Sequence, residues 1–86
     1  MAVKFATSRE SGFHMTFENG WTVSVQWGEG TYSNHNKDNG RMTGRSAEVA
    51  AWDKNGTWYD FGTDKVNGWL PPDKVLEFMN TIAAMK

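Results

Sequence analysis

Polar and apolar residues alternate along residues 12–27, GFHMTFENGWTVSVQW, and the alternation breaks only at Glu18-Asn19-Gly20. Period-two patterning on both sides of an Asn-Gly pair predicts a β-hairpin. A two-residue turn would mix polar and apolar side chains on each face. A three-residue loop, Glu18 to Gly20, sets Phe17 opposite Trp21, Met15 opposite Val23 and Phe13 opposite Val25. One face is then wholly apolar, and the other carries His14, Thr16, Thr22, Ser24 and Gln26. A one-residue slip would expose the whole apolar set, so the three-residue register is the expected one, with Gly20 in the left-handed position that such a loop needs.

Residues 46–61, SAEVAAWDKNGTWYDF, follow the same logic around Lys54-Asn55-Gly56. The predicted register opposes Val49 with Phe61 and Ala51 with Tyr59 on the core side, and pairs Trp52 with Trp58 on the other. That Trp pair is an aromatic platform whose cover is left open among a ligand, a second subunit and the tail of the chain itself. Over 72–85, Val75, Phe78, Met79 and Ile82 recur at i, i+3, i+4 and i+7, with Pro72 in the first turn and Asp73 beside it, and this predicts the one clear helix. VKFAT at 3–7 is a candidate fifth strand. The expected fold is α+β: a four- to five-stranded antiparallel sheet of two hairpins, with the C-terminal helix packed on one face.

Between the hairpins, residues 28–45 read GEGTYSNHNKDNGRMTGR, with four Gly, three Asn and almost nothing apolar. The stretch is expected to be a long loop, and a loop of this length in a small domain marks a functional segment or a disordered one. Its charge is +1, which leaves the remainder of the chain at −2. Eighty-six residues are enough for one domain, 1–86. A net charge of −1 lacks the phosphate attraction of duplex-binding proteins, so double-stranded nucleic acid is not the expected partner. The absence of cysteine excludes disulfides and thiolate chemistry. MAVKFATSRE has no apolar stretch of signal-peptide length, and no window approaches the ~18 apolar residues of a membrane span. The chain reads as a soluble cytoplasmic protein.

The candidate chemistry lies mostly in the long loop. Gly28 and Gly30 are placed to offer backbone N–H groups to an anion, while Lys37, Arg41 and Arg45 supply charge and, through the arginines, planar forks for phosphate. Tyr32, His35 and the Trp52–Trp58 pair add surfaces for stacking a base. Other chemistries fit poorly. Asn34, Asn36 and Asp38 suggest a calcium loop, but Asn39 stands where its glycine belongs and Arg45 where its closing Glu belongs. Two isolated histidines, His14 and His35, do not make a metal site, and no cofactor is expected. Asn55-Gly56-Thr57 matches a glycosylation sequon but is already explained as a turn. Three partly covered Trp side chains, Trp52, Trp58 and Trp69, would leave an apolar patch that favours a homo-oligomer.

FENGWTVSVQWGEGTYSNH, SAEVAAWDKNGTWYDF and PPDKVLEFMN together resemble a family of small, functionally uncharacterised proteins encoded by bacteriophages and their relatives, over residues 13–80. The resemblance implies a host cell's cytoplasm and a role against host defence, and it assigns no residue a function. Joined to the loop chemistry, it gives the expectation of a non-enzymatic protein that sequesters a small anionic, nucleotide-like ligand and so suppresses a host immune signal. The alternatives are an inhibitor that docks its Trp face on a host defence protein, and a small enzyme.

Overall fold

The computed structural model describes residues 3–7, 11–28, 30–38, 41–62 and 64–86, with the side chains of Lys37, Asp38 and Arg41 excepted. Among these residues seven strands and one helix follow in order: β1 (Lys4–Thr7), β2 (Gly12–Thr16), β3 (Thr22–Gln26), β4 (His35–Asp38), β5 (Arg41–Gly44), β6 (Ala47–Trp52), β7 (Asn67–Leu70) and α1 (Pro72–Ala83). An antiparallel sheet has the order β1-β2-β3-β6-β7, and β4 and β5 form a separate two-stranded ribbon. The fold is α+β, as the patterning predicts.

The first hairpin has the expected register, with Phe13 opposite Val25 and Met15 opposite Val23. Its three-residue loop closes through Phe17 N–H to Trp21 O and Gly20 N–H to Phe17 O, both 2.9 Å, with Gly20 at φ +89°. The same closure recurs around Lys54-Asn55-Gly56, where Gly56 has φ +83° and Trp52 bridges Trp58. That second pairing is shorter than expected. Beyond the bond from Tyr59 N–H to Ala51 O, 2.8 Å, the chain leaves the sheet at Gly62, φ +100°, whose N–H is held by Asp60 Oδ1 at 2.7 Å. Val49 therefore faces Asn67 of β7 and not Phe61. Phe61 packs instead against Tyr59 and Phe78, at ring distances of 5.0 and 5.3 Å.

Two further expectations are corrected. Residues 28–45 are not one open loop, because they contain the β4–β5 ribbon. The helix stops at Ala83, not at residue 85. Strand β1 confirms the short fifth strand near the start of the chain.

Helix α1 lies over β3, β6 and β7. Ile82 is fully buried against Val23 and Ala51, and Val75 packs with Val25, Ala47 and Val49. Phe78 and Met79 join both groups. Ala47 and Ala51 face the helix with short side chains, which lets its larger residues settle close to the sheet. No described helix is long and apolar enough to cross a membrane.

The last carbonyls of a helix have no partner within it, and the last turn of α1 has no basic side chain. Asn19, in the first hairpin loop, answers part of that need. Its Nδ2 donates to Ile82 O at 2.8 Å and Met85 O at 2.7 Å, while its Oδ1 accepts from Trp21 N–H at 3.0 Å. One side chain thus closes the turn and ties the helix end to the sheet. Replacing it removes the side-chain bonds to Met85 O and Trp21 N–H and leaves Ile82 O with Met85 N–H alone, so Asn19→Ala is expected to cost about 2 kcal/mol, read as a lower urea midpoint with an unchanged m-value.

Candidate functional site: two clefts on either side of Arg45

The β4–β5 ribbon gathers most of the charged residues singled out in the sequence. His35 pairs with Gly44, Asn36 with Thr43, Lys37 with Met42 and Asp38 with Arg41, and Arg45 follows at once. Lys37 and Arg41 are thus placed on the ribbon, and their side chains lie outside the described part of the structure.

The ribbon is latched to the sheet by specific bonds. Trp27 Nε1 donates to Met42 O at 3.0 Å. Asn34 N–H donates to Ser46 Oγ at 2.8 Å, and that hydroxyl donates back to Asn34 Oδ1 at 2.9 Å. Gly44 runs so close to its neighbours that an added Cβ would sit 2.6 Å from Asn34 O and 3.4 Å from Trp27 Cβ. Only glycine fits that crossing.

The latch leaves an open cleft of about 520 Å³ between the ribbon and α1. Its floor is Phe13, Val25 and Ala47, and Trp27, Met42 and Met79 are among its walls. A second cleft, about 440 Å³, is lined by Asn34, His35, Asn36, Thr43, Gly44 and Arg45. Thr43, Gly44 and Arg45 border both. One cleft is apolar and the other polar, and the exposed Arg45 stands between them with no ion pair to it among the described residues. A volume of this size suits a flat apolar group, and a guanidinium at its edge suits an anion.

The glycine segment has a different role from the expected phosphate cradle. Gly28, at φ +107°, is buried; a Cβ there would lie 3.1 Å from Met42 Cγ, and its N–H donates to Ser33 Oγ at 3.3 Å. Thr31 turns back on Gly28 O through both its N–H, 3.2 Å, and its hydroxyl, 2.6 Å. These donors are satisfied within the protein and are not free for a ligand. Gly30, at φ +82°, is exposed, and Glu29 lies outside the described residues.

Nor do the expected stacking residues form one platform. Tyr32 is exposed and fixed by its backbone, with its N–H on Glu48 Oε2 at 3.2 Å and its O accepting from Trp69 N–H at 2.8 Å. Glu48 is four residues from Trp52 along β6, a rise of about 13 Å. Trp52 and Trp58 do stack, with centroids 5.1 Å apart and planes at 35°. They lie on the sheet face opposite α1, since Trp52 pairs with Thr22 while its neighbour Ala51 faces Ile82. The apolar cleft is on the helix side. A single small ligand at Arg45 therefore does not also reach the Trp pair.

Sequence reasoning passed over three of the cleft residues. Trp27 and Met79 read as core, which they partly are. Met42 is the clearer signal, because an apolar side chain in so polar a stretch has to find a surface to cover.

Comparison with known proteins finds no family model that matches the chain, no similar curated protein and no similar solved structure.

On the opposite face, His14 presents its ring to Trp52 edge-on at 5.1 Å and 84°. Its Nε2 is buried with no hydrogen-bond partner among the described residues, and burial pulls the imidazole below its ordinary value of 6.5. The unfolded chain binds the proton near 6.5 and the folded protein resists it to lower pH. Stability therefore falls as pH drops through 6.5 and levels off below the folded value. His14→Gln is expected to remove this part of the pH dependence, seen as a smaller loss of urea midpoint between about pH 7.5 and about pH 5.5.

Proposed function

We propose that this protein binds a small anionic, nucleotide-like molecule without turning it over. The observation that supports the reading is the shared border of the two clefts at Thr43–Arg45. The flat apolar part of the ligand lies against Trp27, Met42 and Met79, and its phosphate meets the Arg45 guanidinium beside the polar groups of Asn34, Asn36 and Thr43. His35 lines the polar cleft, with its Nδ1 3.1 Å from Ser33 O. Lys37 and Arg41 belong to the same ribbon. Stoichiometric capture withdraws a ligand from whatever system uses it. With the resemblance to small phage proteins, the ligand is a host immune signal.

A second reading rests on the other face. Trp58 is 43% exposed and stacked on Trp52, which suits an aromatic anchor for a host protein. The two readings separate cleanly because their residues are on opposite faces.

Native mass spectrometry against a panel of cyclic and linear nucleotides tests the first. Capture gives stoichiometric adducts that are released chemically intact on denaturation. Arg45→Ala is expected to weaken them about tenfold or more with little change in Tm, because this charge-assisted contact is made by an exposed side chain. Trp58→Ala leaves them unchanged. Absence of any adduct, or adducts that survive Arg45→Ala and vanish with Trp58→Ala, would overturn the assignment.

A further inference from the structure

The two edges of the main sheet are treated differently. At β7 the chain closes its own edge: Trp69 N–H is taken by Tyr32 O, Gly68 is pressed against Tyr32, the pairing with β6 is irregular, and Pro71 follows. At β1, no backbone bond from the described residues reaches the outer side.

The direction of each β1 amide follows from the register. The bonds from Phe17 N–H to Trp21 O and from Trp27 N–H to Ser11 O flank β2 and place its Phe13 and Met15 in the pairs that bond to β3. The alternate residues of β2, His14 and Thr16, must then bond to β1, and their partners there are Ala6 and Lys4. Phe5 and Thr7, and Val3 before them, therefore turn their N–H and C=O groups outward. The same residues carry exposed apolar surface. Phe5 is 76% exposed and Val3 59%, on the α1 side of the sheet but beyond the strands that α1 covers.

We propose that this edge pairs with a second copy of itself. An antiparallel twofold register centred on Phe5 sets Phe5 against Phe5 of the second copy, and Val3 against Thr7. Every outward N–H and C=O in that run then meets its complement. Lys4, the one charge in the strand, falls opposite Ala6 and not opposite another Lys4. Shifting the axis by one residue to Ala6 would pair Phe5 with Thr7 and separate the aromatic rings, so the Phe5 register is the self-complementary one. The result is a continuous ten-stranded sheet with both helices on one side, an apolar strip of Phe5 and Met15 between them, and both Arg45 clefts left open. Lys4–Thr7 contains no proline and pairs without a bulge, and its one charge, Lys4, is on the face opposite Phe5.

The chain has no cysteine, so the register can be read by cross-linking. Phe5→Cys places two thiols across a hydrogen-bonded pair, where Cα atoms are about 5.5 Å apart, within the range a disulfide spans. Air oxidation is expected to give a covalent dimer at least about tenfold faster than for Leu76→Cys, whose parent side chain is 55% exposed on the helix. Sedimentation equilibrium of the unmodified protein is expected to show the mass rising from 9.7 kDa toward twice that value with concentration. Phe5→Lys, which sets like charges on the axis, is expected to hold the lower mass while keeping the wild-type circular dichroism spectrum. Equal cross-linking of the two cysteine variants, a wild type that stays at 9.7 kDa up to about 1 mM, or association undiminished by Phe5→Lys would each overturn the proposal.

Discussion

The pairing of β3 with β6 is the constraint on which the rest of the structure depends. It runs in step from Thr22–Trp52 to Gln26–Glu48 and joins two segments far apart in the chain. Every second pair presents a small or β-branched apolar side chain to α1: Val23 with Ala51, and Val25 with Val49. Val23, Val49, Ala51 and Ile82 are completely shielded from water. Fully burying an aliphatic side chain is worth about 1.5–3 kcal/mol, so a slip of this pairing by one residue would turn most of the core outward. The helix is held to that surface at its far end by Asn19, and the first hairpin is thereby fixed to both layers.

With that frame rigid, the connection between β3 and β6 is anchored at both of its ends. It leaves the sheet at Trp27 and returns at Ser46, and both of those residues latch the ribbon carried between them. The cleft exists because the ribbon is held by its base while α1 occupies the neighbouring strands. Its chemistry is divided by position: the core strands supply the apolar floor, and the ribbon supplies the polar and basic rim. A ligand that has both characters in one small molecule satisfies both sides, and a nucleotide is such a molecule.

Much of this was legible in the residues. Two Asn-Gly loops fixed two hairpin closures, and the Phe13–Val25 and Trp52–Trp58 pairs follow from keeping one face apolar. Other features carry no short-range signal. The His35–Asp38 and Arg41–Gly44 strands contain a single apolar residue, Met42, too little to show an alternation. Asn67-Gly68-Trp69-Leu70 contains a glycine and a left-handed Trp69, φ 62°, and becomes a strand only because Val49 and Ala47 offer it an edge. Whether Gly28 offers its amide to a ligand or to Ser33 is decided by how the ribbon docks, which composition does not encode. Arg45 was visible as a candidate; the apolar cleft beside it was not, since Trp27 and Met79 look like ordinary core.

The most direct measurement is a two-dimensional ¹H–¹⁵N NMR titration with adenosine 5′-monophosphate and a cyclic dinucleotide, following the backbone amides and the Trp indole N–H signals. Trp27 Nε1–H lies on Met42 O at the cleft wall, whereas Trp58 is on the far face. Capture at Arg45 requires that the Trp27 indole and the amides of residues 43–47 shift together in a saturable manner, with Trp58 unmoved. Shifts confined to Trp52 and Trp58, or a spectrum that neither ligand changes, would contradict it.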